Sequence, residues 1–216
     1  MGGRSASALV IVAALCCAHL AVAQSKPGQG RTTFGIVGGL NLAKFTGSDV
    51  TGVSTRTSFY AGVAATTPLG TSLFFQPQVL YSAQGAEESS AGATLTLALD
   101  YLQVPLFLGL HIPMQGSAIR PYVMAGPYVG FKLSCKLKAS SGGVSGSVNC
   151  DDPSIGAAKM KSTDFGLTFG AGVELPLGTG MLSLAGRFSM GLTDIEEGYN
   201  GKNSVISIGA GYFFGR

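Results

Sequence analysis

The last third of the chain alternates apolar with polar or small residues, position by position. Phe165, Leu167, Phe169, Ala171, Val173 and Leu175 interleave with Asp164, Gly166, Thr168, Gly170, Gly172 and Glu174. Leu182, Leu184, Gly186, Phe188, Met190 and Leu192 then interleave with Ser183, Ala185, Arg187, Ser189 and Gly191, and Ile206, Ile208, Ala210, Tyr212 and Phe214 with Ser207, Gly209, Gly211 and Phe213. Side chains alternate across a β-strand, so each segment predicts a strand with one apolar face. Segments of about ten residues match a tilted membrane strand and exceed the usual length of soluble strands.

The same reading predicts five earlier strands, at 33–44, 58–68, 73–85, 95–112 and 120–134, eight in all. Beyond residue 23 no apolar run reaches the roughly 18 residues of a helical span. In the fourth strand Leu102, Val104, Leu106, Leu108 and Leu110 share a face, whereas Leu95, Leu97 and Leu99 have the opposite parity. A β-bulge near Asp100, or a loop that begins later, each accounts for the slip.

A degenerate repeat marks the turns: PLGTSL at 68–73, PLGTGM at 176–181 and the looser PMQG at 113–116. Proline ends ladder pairing and glycine supplies positive φ, so each copy predicts a short hairpin connection. Longer polar connections are expected at 45–57, 86–92, 138–162 and 193–203. Short turns on one side and long loops on the other are the asymmetry of outer-membrane barrels, with the short turns periplasmic.

Composition decides which solvent this surface meets. Charged residues make up 12% of the chain, about half the usual share for a soluble domain. The non-apolar strand faces are mostly Gly, Ser, Thr, Gln and Tyr, a poor exterior for a soluble lipocalin-like barrel but a reasonable lumen. Arg187, Glu174 and Lys132 all lie on that face, and a lipid-facing Arg at the bilayer midplane would cost about 2 to 4 kcal/mol. Eight strands leave room only for side chains, and Tyr60, Tyr122, Tyr128, Phe107 and Phe213 are available to fill it. The expected fold is all-β: an eight-stranded antiparallel up-and-down transmembrane β-barrel with a plugged lumen.

Residues 1–23 read as a signal peptide, with Arg4 as the basic start, an apolar run at 8–18 and the small-residue site Ala21-Val22-Ala23 before Gln24. An uncleaved anchor helix is the alternative. Lipid attachment is disfavoured because Leu15 and Cys16, which precede Cys16 and Cys17, are not the small residue that such processing needs. Residues 24–32 are then a periplasmic segment and 33–214 the barrel domain. The formal charge of +3 falls by one when Arg4 leaves, too little to argue for nucleic acid.

The segments GIVGGLNL (35–42), FQPQVLYS (75–82), DYLQVP (100–105), GPYVG (126–130), DFGLTFGAGVEL (164–175) and GAGYFF (209–214) together resemble the small outer-membrane β-barrel proteins called the porin family, akin in architecture to OmpA- and OmpX-type barrels. The resemblance implies residence in the bacterial outer membrane, insertion by the outer-membrane assembly machinery, and no shared catalytic activity. It also implies that Tyr212, Phe213 and Phe214 form the C-terminal assembly signal. Family members often end on the aromatic, whereas here Gly215 and Arg216 follow.

Cys135 and Cys150 are the only mature cysteines; in an exported protein a disulfide is the first reading, ahead of free thiols or metal ligands. His111, the sole mature histidine, sits beside the inner turn at Pro113, the wrong end for a His and Ser pair working on lipid A. Lys132, Asp164, Glu174 and Arg187 are expected lumenal charges, either a gating network or static neutralisation. Register about Gly178 sets Glu174 near Leu182, so Glu174 and Arg187 are not expected to pair directly. Asp49, Glu87-Glu88, Asp151-Asp152 and Glu196-Glu197 read as solvated loop charge rather than a Ca²⁺ site.

No cofactor, metal or nucleic acid is expected. The reading is a monomeric structural or surface-interaction barrel whose partners are outer-membrane lipid, lipopolysaccharide and an external ligand or surface protein. A narrow pore for small solutes is the alternative, ahead of a lipid-modifying enzyme or a soluble lipocalin-like binder.

Overall fold

The computed structural model describes residues 30–50, 52–90, 92–150, 152, 160–195 and 200–215. The expected signal peptide, most of the segment at 24–32, and Asp151, Glu196, Glu197 and Arg216 lie outside the described residues.

Among the described residues nine strands follow in order: β1 (Thr33–Thr46), β2 (Ser54–Pro68), β3 (Leu73–Ser90), β4 (Ala93–His111), β5 (Arg120–Ser141), β6 (Val144–Asn149), β7 (Thr163–Leu177), β8 (Gly180–Gly191) and β9 (Lys202–Phe214). All pairings are antiparallel, in the order β4-β3-β2-β1-β9-β8-β7-β5, with a β4–β5 ladder completing the ring. The barrel is therefore closed and eight-stranded, and β6 pairs beside β5 outside the ring. Closure removes the free edges an open sheet would present to lipid. Among the described residues no helix is long and apolar enough to cross a membrane.

Parity becomes geometry. Ile36, Val63, Leu108, Phe169, Phe188 and Ile208 are exposed around the outside, an apolar belt, while Asn41, Gln78, Gln103, Thr168, Ser189 and Ser207 are buried inside. Polar inside and apolar outside is the reverse of a soluble barrel. The β7–β8 turn is the two-residue Gly178-Thr179, with Gly178 at φ +59°, a conformation costly for residues with a Cβ.

Three expectations need correction. The segment at 86–92 is not a polar loop: β3 runs to Ser90, β4 starts at Ala93, and Glu87 and Glu88 are strand residues. Likewise 138–162 contains the end of β5 and all of β6. Strands of up to 22 residues exceed the roughly ten that cross a bilayer. The ends of β3, β4 and β5 opposite the short turns, with β6, thus extend beyond a bilayer-spanning length as a sheet.

The parity slip in β4 has a third explanation. Register does shift at Asp100/Tyr101, but the extra residue is Leu133 on β5, because Asp100 faces Ser134 and Tyr101 faces Lys132. β4 itself runs on unbroken, and Leu97 and Leu99 turn inward into a cluster at the outer mouth. Glu174 faces Ser183, one residue from the expected Leu182.

Candidate functional site

The lumen holds the chemistry of this barrel, in three tiers. At the inner end Phe74, Phe107, Tyr122 and Met124 form a buried cluster. Beside it Glu174 Oε2 lies 3.0 Å from His111 Nε2 and 3.8 Å from Arg120 Nη1. Both His111 and Glu174 stand two residues before a turn proline, Pro113 and Pro176, and face inward, so they meet at the same height. A cavity of about 190 Å³ opens here, lined by Arg31, Phe74, His111, Arg120, Glu174 and Phe213 among others.

At mid-height Arg187 lies between two rings, 5.2 Å from the centroid of Tyr60 and 5.5 Å from that of Phe107. Its Nη1 donates to Gln78 Oε1 at 3.0 Å; Gln78 donates in turn to Gln76, and Gln76 to Thr66. Ser207 donates to Asn41, whose amide donates to Ser82.

Higher up, buried Asp164 is held, among the described residues, by neutral donors only. Oδ2 accepts from the Tyr128 hydroxyl at 3.0 Å and from Asn203 Nδ2 at 2.9 Å, and Oδ1 from Thr193 Oγ1 at 2.9 Å. These three bonds engage both oxygens of the side chain, and a buried polar group is costly unless it is hydrogen-bonded. Lys132 donates to the Met160 carbonyl at 3.2 Å.

The four expected lumenal charges all face inward but, among the described residues, form no common network. Glu174 belongs to His111 and Arg120, Asp164 to its neutral donors, Lys132 to the outer mouth and Arg187 to rings and Gln78. Sequence reasoning missed the Glu174–His111 link, although their equal distance from the turn prolines signals it. The Asp164 partners Tyr128, Thr193 and Asn203 carry no sequence signal, since they come from three separate segments.

Glycines make room for the lumenal rings. A Cβ on Gly172 would meet the Tyr122 ring and the Leu184 carbonyl, and one on Gly166 the Tyr128 ring and the Met190 carbonyl. Only glycine lets strand and ring approach this closely.

The outer mouth is closed differently. Phe45, Ala86, Leu99, Tyr101, Cys135, Cys150 and Ile195 are buried together, with Val50, Val53, Leu97 and Met160 against them. These residues come from strand ends and three separate loops. Cys135 and Cys150 are disulfide-bonded, their Cα atoms 5.4 Å apart. Asp49 in the loop after β1 accepts a hydrogen bond at 2.9 Å from the Asn200 amide of the last loop. That bond, together with the Ser48 hydroxyl, holds the Asp49 carboxyl below the ordinary carboxylate range.

At the C-terminus Tyr212 and Phe214 stack edge to face on the outer surface at 5.1 Å, while Phe213 is buried in the lumen. Among the described residues no group of three or more His, Cys, Asp or Glu side chains is placed to hold a metal ion.

No curated protein matches this sequence. Solved structures similar to this chain include the attachment invasion locus protein Ail of Yersinia pestis, in complex with the heparin analogue sucrose octasulfate, at 16% identity and TM-score 0.44, covering 85% of this chain and 99% of that one. Neisserial surface protein A is 14% identical with TM-score 0.47, covering 84% and 98%. OprG from Pseudomonas aeruginosa is 15% identical with TM-score 0.45, covering 88% and 99%. The family model described as "Outer membrane protein beta-barrel domain" matches residues 22–197. With the closed ring, the apolar belt and the polar lumen, this match identifies the chain as a member of the outer membrane protein beta-barrel domain family, resident in the bacterial outer membrane.

Proposed function

We propose that this barrel is a structural and surface-interaction protein whose lumen is filled by its own side chains, whose outer sheet and loops make its contacts, and which has no catalytic activity. The observation that carries the reading is the constriction at mid-lumen. Between the inner ring cluster and the outer loop cluster, the cavity beside Arg187 has about 20 Å³, room for about one water molecule. A planar-bilayer recording tests it: no steady channels are expected, and steady unit conductance altered by Arg187→Ala would put a narrow pore in its place. Lipid A of unchanged mass in cells with and without the protein is expected; a lost acyl chain would establish an enzyme.

The contact surface is the sheet above the membrane. Its outward face carries Glu87, Thr94, Thr96, Lys136, Lys138 and Ser147 in neighbouring register, with a groove of about 350 Å³ along Thr94, Thr96, Lys138 and Ser145. Exposed Phe131 and Leu133 lie immediately below on β5. Lys136 and Lys138 thus rise just above the apolar belt, at the level of anionic lipopolysaccharide headgroups. Charge removal at both is expected to weaken lipopolysaccharide retention in detergent about thirtyfold, at about 1 kcal/mol per lysine near an anionic surface.

The same reading has residues 1–23 removed on export and 24–32 left in the periplasm, so N-terminal sequencing of the mature protein gives Gln24. It also makes Tyr212, Phe213 and Phe214 the signal read by the assembly machinery.

A further inference from the structure

Among the described residues the charge on Arg187 has no counter-charge in contact. Arg187 faces Gly170 and Ser207 on its neighbouring strands, inside the barrel. Its Nε is fully buried without a hydrogen-bond acceptor among the described residues. No carboxylate among the described residues pairs with it: Glu174 serves His111 and Arg120, and Asp164 serves Tyr128, Thr193 and Asn203. A guanidinium keeps its charge in proteins. Two ring faces and one amide oxygen offer only partial negative charge, and Arg187 is half-buried, so a charge without a partner is costly there.

The adjoining cavity of about 20 Å³ is lined by Asn41, Ser82, Gln103, Thr168, Ser189 and Ser207 together with Tyr60 and Arg187, and by no carboxylate. Its hydroxyls have protons to spare. Ser82 Oγ accepts from Asn41 Nδ2 and from Gln84 Nε2, each at 3.1 Å, so its own proton needs a third partner. Thr168 and Ser189 share one hydrogen bond of 2.8 Å, which uses one of their two hydroxyl protons. With Arg187, which also lines it, the walls are rich in donors and carry net positive charge. A species that only accepts hydrogen bonds, bears one negative charge and is a single atom little larger than a water molecule satisfies both conditions. Water satisfies the donors but leaves the charge.

We propose that the mid-lumen cavity beside Arg187 is a binding site for a monatomic monovalent anion, a halide such as chloride. The site neutralises the guanidinium in place, and it is independent of what the outer sheet contacts.

The test uses the full mature chain in detergent, in two parts. Crystals grown with bromide in place of chloride are expected to give an anomalous peak in contact with Arg187 and the Ser82 hydroxyl. The unfolding midpoint is expected to rise saturably when chloride replaces gluconate at constant ionic strength, and Arg187→Met to abolish that dependence. Ser82→Ala keeps the guanidinium, so it decides the matter should Arg187→Met fail to fold. It is expected to weaken chloride about tenfold, the scale of one lost hydrogen bond to a charged group. No bromide peak at Arg187, with equal stability in chloride and gluconate, would mean water alone and would overturn the proposal. A peak without saturable stabilisation would mark an adventitious ion only, and would overturn it as well.

Discussion

The two ends of the lumen are closed by different means. The inner end is closed by strand residues a few positions apart in register: Phe74 on β3, Phe107 on β4, and Tyr122 and Met124 on β5, with His111 and Glu174 beside them. The outer end is closed by residues brought from far apart in sequence, Phe45, Leu99, Cys150 and Ile195, and fastened by the Cys135–Cys150 disulfide and the Asp49–Asn200 hydrogen bond. The inner closure follows from the ladder itself and forms with it. The outer one needs loops to be ordered, so it depends on fastenings the ladder does not supply. The inner end should therefore fail only with the barrel, whereas the outer end can loosen while the barrel stands.

The largest effect should come from Phe107→Ala, which empties a fully buried position at the inner end. We expect a loss of about 3 to 5 kcal/mol of stability, read from urea unfolding in lipid vesicles. Such a cost with outer-loop protease resistance unchanged keeps the two ends distinct; loosened outer loops would merge them.

Replacing Cys135 and Cys150 by Ser together should cost about 3 kcal/mol, from the freed loop between them, a sequence separation of 15. The eight strands of the ring should stay protected in hydrogen exchange while β6 and the turn before it become cleavable. A thiol titration of the native, unreduced protein should find no free thiol, and finding both free would remove this fastening from the account.

Glu174→Gln should cost about 1 to 3 kcal/mol, because the His111 and Arg120 groups lose a charged partner. His111→Gln combined with it should cost less than the sum of the two single changes.

The smallest effect concerns pH. The folded-state carboxyl of Asp49 titrates below its ordinary value of 3.8. Its contribution is therefore complete at neutral pH and is lost as the pH falls through the lowered value, not as it rises. Hydrogen exchange at the Asn200 amide should speed up in acid relative to its neighbours, and Asp49→Asn should remove that pH dependence.

What was legible in the sequence follows the same division. Wherever the surroundings were lipid on one face and lumen on the other, alternation assigned each side chain, as in β7, β8 and β9. It also turned Lys132, Asp164, Glu174 and Arg187 inward. Beyond the apolar belt, toward the long loops, one face meets the loop cluster rather than a polar lumen, so apolar parity no longer reports direction. That is why Leu97 and Leu99 looked like a slip in register, and why the outer ends of β3 and β5 read as loop. The partners of Asp164 and the members of the outer cluster are set by ring closure and loop docking, which bring together residues that no local pattern relates.

The central claim is a closed barrel with its apolar belt in lipid, and gel mobility after detergent extraction of outer membranes addresses it most directly. The unboiled protein should run as a compact, faster band that shifts to the position of the unfolded chain on boiling. A protein recovered from the soluble periplasm, with the same mobility before and after boiling, would contradict it.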